Sequence, residues 1–448
     1  SQERMVVILP KKSLKNFFAI CEKYNVEATE LGEFDGSRKL QVFYGKEKVC
    51  DLEMNFLYGG LPQRVMRVSA PKRHSGERSD SRIRKGSWTS QDDSIKTPKS
   101  QKEWVVILEK VLAHGNINSK EPILRMYDHT VQGTSVLTPY AGEGMDGPQD
   151  AAVIRPLLDK PYGMVISHGL NPALTRIDPY WGSIWAATEA VANYVAVGGN
   201  YKDASLINNY IWPFPDEEWL WKLDRCVDAV VDFMKTLSIP VISGKDSLSA
   251  TYRGKDGFVL HIQPTLVMSV FGKIPDVTKT FSSDFKNVGS TIVLVGKLDV
   301  EAMGGSVYFQ CLADLSSRHS GLSRIRPDSG VARLRRTPQN DISRVPKVDL
   351  KLLTKLLDQI HRAITSGKVL SCHDVSEGGL ITAVFEMCVG GNVGIDINLA
   401  GLEASNLRGW NGGGWRGGRP DNFLFNETAG CFIVEVEDEK TAETLFRG

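Results

Sequence analysis

No two cysteines in this sequence stand in a C-x-x-C arrangement. The 7 present (Cys21, Cys50, Cys226, Cys311, Cys372, Cys388, Cys431) are scattered along the chain. That scatter argues against a zinc site or a disulfide framework and fits a reducing, cytoplasmic setting. The 8 histidines form no triad and include no H-E-x-x-H, so a zinc-protease signature is missing. No apolar run reaches the ~18 residues expected of a membrane helix. An excess of one charge is missing too. Lys+Arg 54 against Asp+Glu 53 leave a net charge of +1, which points to neither a nucleic-acid nor a membrane partner. The start, SQERMVVILP, has no signal-peptide n-region or cleavage site. It also has no initiator Met, and the chain is expected to be cut from a longer one. There is no nucleophile elbow and no cysteine-based glutaminase site.

What is present is ordinary globular material. Of the 448 residues, 42% are hydrophobic, enough for buried cores in two to four domains. RMVVILP and VEATELGEF read as strands on either side of an amphipathic helix, SLKNFFAICEKY. Residues 71–103 are polar and without apolar periodicity, and read as a linker. A helix is expected at WVVILEKVLA. Strands are then expected at GMVISHG, VISG and FVLHIQPTLVMSVFG, with helices at SIWAATEAVANYVAV and DEEWLWKLDRCVDAVVDFMKTL. A second block has the strand TIVLVG, the helix DLKLLTKLLDQIHRAITSG and a closing strand-turn-helix, CFIVEVEDEKTAETLF. This last segment repeats the pattern of RMVVILPKKSLKNFFAI, as a two-domain unit duplicated out of phase would. Residues 314–346, Arg-rich, and 404–422, Gly-rich, fit no element and read as solvated insertions.

Four places carry polar groups suited to chemistry. In GMDGPQDAAVIRP, Asp150 precedes a strand, where a carboxylate suits a hard cation or simply closes a turn. Glu189 and Asn193 lie four residues apart and share a helix face. In apolar surroundings they need a partner such as a magnesium ion, unless that face is the solvent face. In VISGKDSLSATY an apolar strand leads into Gly-Lys-Asp-Ser, which suits a phosphate or is a plain polar loop. The upstream glycine of a Walker A motif is absent. In SCHDVSEGGLITAVFEMC, a loop with Asp374, Ser376 and Glu377 runs through Gly378 and Gly379 into an apolar helix. It offers an anion site at the helix start or an N-cap; two glycines suggest close backbone approach. His373 reads as a hydrogen-bonded structural residue or a base.

Taken in order, YDHTVQG, GPQDAAVIRP, ATEAVANYVAVGG, SGKDS, GGSVYF and HDVSEGGL resemble the phosphoribosylformylglycinamidine synthases of the PurM/PurL type. The resemblance runs from about Trp104 onward. It implies an α+β or α/β chain in which a PurM-like A domain, a barrel-forming mixed sheet with helices, is followed by a PurM C-terminal-like B domain. Residues 1–75 are then the end of a first B domain and 76–103 a linker. The second A domain is 104–277, and 278–448 is an incomplete second B domain.

The same resemblance implies magnesium ligands at Asp150, Glu189, Asn193 and Asp374. It implies nucleotide contacts, ATP or ADP, at Ser376, Gly378, Gly244 and Ser247, and substrate contacts at Ser1 and Gln2. Lys245 stands where one branch of the family has Asn, and Asn208 where some members have an acidic contact. The implied activity of the complete enzyme is ATP-dependent conversion of formylglycinamide ribonucleotide, with ammonia from a glutaminase, to the amidine of purine biosynthesis. The implied partners are that substrate, a glutaminase and a missing N-terminal synthetase half with the catalytic His, so that the fragment alone is inactive. Two alternatives stand beside it: a non-catalytic magnesium-nucleotide module, and another ATPase of the superfamily, such as aminoimidazole ribonucleotide or selenophosphate synthetase.

Overall fold

The computed structural model describes residues 5–60, 65, 66, 68, 98, 100–127, 129–255, 257–319, 344–397 and 420–446. Ser1 and Gln2, and most of the expected linker and insertions, lie outside these residues. The chain divides into two compact units, Ser1–Arg67 and Val68–Gly448.

The smaller unit contains helix α1 (Leu14–Lys23), strands β1 (Lys39–Tyr44) and β2 (Glu47–Glu53), and the short helix α2 (Met54–Gly59). The strands form an antiparallel hairpin. They are joined by Gly45-Lys46, with Gly45 at φ 61°, a backbone that glycine adopts without strain. The two strands expected at RMVVILP and VEATELGEF are absent: Met5–Pro10 and Val26–Phe34 carry no strand assignment. A strand exists only where a neighbour takes its N–H and C=O groups, and among the described residues of this unit the one ladder is β1–β2. The repeat between the two chain ends therefore survives as a helix, not as a strand-turn-helix.

The larger unit opens with α3 (Gln101–Leu112), α4 (Glu121–Leu124), β3 (Ser135–Leu137), β4 (Tyr140–Ala141), β5 (Gly147–Pro148), β6 (Ala151–Ile154) and β7 (Gly163–Gly169). There follow α5 (Pro172–Ile177), α6 (Pro179–Ala196), β8 (Ala204–Ile211), α7 (Glu217–Leu237), β9 (Val241–Ser247), β10 (Thr251–Arg253), β11 (Val259–His261) and β12 (Thr265–Ile274). Six strands make one sheet in the order β3-β6-β7-β12-β8-β9. All its pairs are antiparallel except β8–β9. The long strand expected at FVLHIQPTLVMSVFG is two, β11 and β12. Pro264 between them has no N–H to donate to a ladder.

One face of this sheet is buried under α6 and α7, and its residues show the expected alternation. Val165, Leu206, Leu266, Met268 and Val270 are fully buried, while their neighbours Met164, Ile166, Val267 and Phe271 on the opposite face are only half-buried.

The chain continues with β13 (Thr291–Val295), α8 (Val307–His319), α9 (Leu350–Thr365), β14 (Val369–Val375), α10 (Gly379–Gly391), α11 (Pro420–Leu424), β15 (Cys431–Val436) and α12 (Glu439–Phe446). A three-stranded antiparallel sheet, β13-β15-β14, is the second layer. Two expected insertions are shorter than the sequence suggested. Residues 314–319 continue α8, and Val345 is buried. Within 404–422, Pro420, Asp421 and Asn422 belong to α11, with Asp421 fully buried and accepting the Tyr308 hydroxyl at 2.6 Å.

Helix α6 contacts both layers, packing on β7 and β12 and on β14 and β15. Its N-terminus is capped by Asp178, which accepts from the Tyr180 and Trp181 amides. Almost every residue is buried, so Glu189 and Asn193 are its half-buried polar exceptions. The helix sits very close to β7. A Cβ on Gly169 would lie 2.1 Å from the Ala186 carbonyl oxygen and 2.6 Å from the Ala190 nitrogen. The Ser167 hydroxyl donates to the Ala190 carbonyl at 2.6 Å. Among the described residues no helix is long and apolar enough to cross a membrane.

Candidate metal centre

Where the two sheets meet, Asp150 immediately precedes β6, and β14 carries His373 and Asp374. Asp374 lies in the strand, paired with Phe432, not in the loop expected from the sequence. Asp150 is held by its neighbours on the chain. The turn before it lies against α10, the Glu143 amide donating to the Gly390 carbonyl at 2.9 Å, and the backbones of Gly142 and Gly147 are too close to Gly390 for any Cβ. Gln149 then clamps Ser283 through two hydrogen bonds, 2.9 and 3.0 Å long.

Asp150, His373 and Asp374 bring their ligand atoms within 4.8 Å of one another. Asp150 Oδ2 and Asp374 Oδ2 are both buried without a hydrogen-bond partner. Two orphaned carboxylate oxygens at one buried point carry a heavy desolvation cost unless a cation faces them. The donor set therefore fits a hard, oxygen-preferring ion. Burial, followed by the neighbouring Asp150 charge, pushes Asp374 well above the ordinary carboxylate range.

His373 is not an open ligand. Its Nδ1 lies 2.5 Å from Asp150 Oδ1 and its Nε2 3.1 Å from Glu386 Oε2. Burial alone would lower its pKa, but the Asp150 charge and hydrogen bond and the Glu386 contacts outweigh that and raise it well above 6.5. With a carboxylate on each nitrogen, the ring is held as an imidazolium and acts as a buried counter-charge.

Glu189 comes to the same region from α6. One of its oxygens accepts from the Leu170 amide at 2.9 Å. Burial, and next the charges of Asp374 and Glu377, raise its pKa well above the usual value. Asn193, one turn on, donates to the His168 carbonyl at 3.0 Å. Both side chains thus tie α6 to the end of β7, and Glu189 alone of the two is electrostatically tied to Asp374.

Around the HDVSEGG turn the outcome is mixed. Gly378 and Gly379 have φ of 81° and 75°, and a Cβ on Gly379 would sit 2.6 Å from the Phe425 backbone. The close approach that the paired glycines suggested is made by the chain's own Phe425. The Gly378 amide is not free for an anion, because it donates to Glu427 Oε1 at 2.9 Å. Glu377 accepts from Asn116 at 3.0 Å. The Ser376 carbonyl accepts the Gly379 amide.

The SGKDS segment is placed elsewhere. Gly244 through Ser247 continue β9 as an edge strand paired to β8, with Gly244 opposite Asn208. They form no loop. β9 stands four strand spacings from β6, on the order of 19 Å along the sheet. The Lys245 ammonium donates to the Ser247 hydroxyl at 2.5 Å. Gly244 and Ser247 are therefore not brought to the carboxylates. Glu386 and Glu427 were missed in the sequence, although Glu386 is the one charged residue in α10.

Comparison with known proteins agrees with this architecture. Residues 148–274 match the AIR synthase related protein N-terminal domain, and residues 287–448 match its C-terminal domain. Phosphoribosylformylglycinamidine synthase subunit PurL of Thermoplasma acidophilum is 26% identical over 443 residues, 98% of this chain and 49% of the relative. The subunit of the same name from Methanosarcina barkeri is 30% identical, over 99% of this chain and 52% of the relative. The chain thus spans about half the length of these curated relatives. Among solved structures, PurLQS from Thermotoga maritima matches with a TM-score of 0.51 at 17% identity, over 96% of this chain and 52% of that one. Thermotoga maritima PurL complexed with ATP matches with a TM-score of 0.51 at 18% identity, over 98% and 52%. These likenesses establish a PurM-like α/β fold of mixed sheets and helices. The chain belongs to the AIR synthase related family, with PurL subunits of phosphoribosylformylglycinamidine synthase as its relatives along nearly its whole length.

Proposed function

We propose that this chain is the part of a cytoplasmic phosphoribosylformylglycinamidine synthase that holds a magnesium nucleotide, ATP or ADP. The observation that carries the reading is the pair of orphaned, buried oxygens on Asp150 and Asp374. Its support is the match to PurL subunits along nearly the whole chain. Asp150 and Asp374 hold the ion, with Glu189 beside them, and Ser376 stands at the turn leading from Asp374 into α10. Bound magnesium neutralises charge on a nucleotide's phosphates. The chain's own residues supply the rest: His373 balances the carboxylates, and α6 fixes Glu189 against β7.

In the complete enzyme the reaction is phosphorylation of the formyl-amide oxygen of formylglycinamide ribonucleotide, then displacement of phosphate by glutamine-derived ammonia. A glutaminase and a further synthetase half are its partners. The half-buried face of the six-stranded sheet is suited to take a second sheet. On this reading residues 1–75 close one PurM C-terminal-like domain, 104–277 form an A domain and 278–448 a B domain. A second reading, a nucleotide held without turnover, is favoured by His373. Both its nitrogens are engaged by carboxylates, so it has no free nitrogen to move a substrate proton.

Calorimetric titration of the 448-residue chain with Mg-ADP tests the site. Binding that needs magnesium and is lost in Asp374→Asn is expected. Absence of binding, or binding that Asp374→Asn leaves intact, overturns the reading. Turnover after adding the missing half and a glutaminase separates the first reading from the second.

A further inference from the structure

The end of α5, the start of α6 and one side of α7 enclose an open cleft of about 600 Å³. Arg176, Tyr180, Trp181, Trp221, Lys222 and Arg225 line it. Tyr180 stands nine residues before Glu189 on α6, on the order of 13 Å along the helix. The cleft is therefore separate from the metal centre. Its aromatic wall is fixed from within the chain. Asp178 Oδ1 accepts the Tyr180 amide at 3.1 Å and the Trp181 amide at 3.0 Å, which anchors both residues in the first turn of α6. Their rings meet edge to face, with centroids 5.2 Å apart and planes at 83°. The Tyr180 hydroxyl donates to Asp232 at 2.7 Å.

Cations gather around these rings. The Arg225 guanidinium lies 5.2 Å from the centre of the Tyr180 ring, and Lys347 Nζ 5.4 Å from that of Trp181. Lys222 and Arg225 pair with Glu218 and Asp228 of their own helix, at 2.7 and 2.6 Å. Both carboxylates are half-exposed, and helix-surface pairs of this kind contribute little, so an incoming anion displaces them readily. Arg176 and Lys347 have no ion pair among the described residues, and the Trp221 indole N–H has no acceptor there. The one carboxylate in the lining, Asp178, is spent on capping α6. Rings alone suit any apolar group, and cations alone suit any anion. Together, in a cleft of small-ligand size, they select a flat ring that carries a phosphate.

We propose that this cleft binds a nucleoside monophosphate without a metal ion, its base against Trp181 and Trp221 and its phosphate on Arg176 and Lys222. The site is distinct from the carboxylate centre and does not depend on how that centre is read. Its cations stand where a metal-bound phosphate would need carboxylates.

Calorimetric titration of the 448-residue chain with AMP in EDTA tests the proposal. Binding is expected, and Asp374→Asn is expected to leave it unchanged. Trp221→Ala and Arg176→Glu are each expected to weaken AMP about tenfold, through a lost stacking face and a lost charge-assisted contact. Trp221→Phe keeps a ring and is expected to stay within about threefold of wild type. Adenosine has no phosphate, so its affinity is expected to fall in Trp221→Ala and to hold in Arg176→Glu. In nitrogen-labelled protein, AMP is expected to shift the indole N–H signals of Trp181 and Trp221. Absence of binding in EDTA overturns the proposal, as does binding that both Trp221→Ala and Arg176→Glu leave intact. Inorganic phosphate that competes as well as AMP would mean an anion site with no place for a base, and overturns it too. Binding lost in Asp374→Asn assigns AMP to the carboxylate centre instead. If Trp221→Ala does not fold, Arg176→Glu at an exposed position decides alone, by separating AMP from adenosine or failing to.

Discussion

His373 Nδ1 and Asp150 Oδ1 lie 2.5 Å apart, across the junction between the two sheets. The pair leaves Asp150 with one oxygen engaged by a protein cation and the other orphaned. Glu386 meets the opposite nitrogen of the same ring. The centre therefore has one fixed positive charge among several carboxylates, which lowers the repulsion without removing it. That residual repulsion makes the site responsive to an added cation, and it sets the signs of the first two predictions.

Asp374→Asn is expected to abolish the magnesium-dependent rise in melting temperature and yet to raise the melting temperature without metal. Burial and the Asp150 charge already disfavour the ionised form of Asp374, so a neutral amide relieves the metal-free protein. Thermal denaturation with and without magnesium checks both halves. A metal-free melting temperature well below wild type contradicts this electrostatic account.

His373→Gln is expected to act in the opposite direction. It removes the buried counter-charge and leaves Asp150 and Glu386 facing an amide, at a cost of about 3–5 kcal/mol. Magnesium then restores a larger share of stability than it adds to wild type. Denaturant unfolding in EDTA and in magnesium measures the difference.

Glu427 gives a pH dependence of known sign. Burial, and next the Glu377 charge, raise its pKa to about 8, against an ordinary 4.5. Between those values the folded chain keeps a proton that the unfolded chain has lost. Stability from this group is therefore whole below about pH 4.5 and falls as pH rises through 8. The slope is about 1.4 kcal/mol per pH unit at most. Glu427→Gln, which carries no titrating proton, is expected to flatten the fall between pH 5 and 8 in metal-free buffer. A variant with the wild-type slope would assign that slope to other groups.

Among the carboxylates singled out in the sequence, Asp150 before a strand and Asp374 in a polar stretch were open to a turn or a cap, and the family resemblance supplied their metal role. Glu189 stood out because its helix is otherwise apolar. Glu386 offers the same signal, a lone charge in α10, but its partner His373 is thirteen residues away and meets it only after β14 and α10 are packed. Glu427 was hidden for a different cause. Its partners, Val307 and Gly378, are 120 and 49 residues distant, and no local pattern encodes a shared acceptor. SGKDS was read as a loop because glycine and charge resemble turn chemistry. Its extension as β9 depends on the edge of β8, a tertiary fact. Helices α6, α7 and α9 were plain because apolar spacing is a local property.

The contact between β7 and α6 gives the last prediction. Gly169 closes β7, and the Leu170 amide beside it is the donor that holds Glu189. A Cβ on Gly169 would lie 2.1 Å from the Ala186 oxygen and 2.6 Å from the Ala190 nitrogen, both backbone atoms. No rotamer change relieves such a clash, so the helix itself must move. Gly169→Ala is thus expected to cost about 1–3 kcal/mol, as overpacking in a filled core does. The movement also carries Glu189 away from Asp374, since both Glu189 and Ala190 ride on the displaced turn. Mg-ADP affinity is then expected to fall together with stability. Ala190→Gly removes only a side chain, leaves the Ala190 nitrogen in the way, and is not expected to rescue Gly169→Ala. If Gly169→Ala loses stability but binds Mg-ADP as wild type does, Glu189 does not depend on this contact for its place at the site.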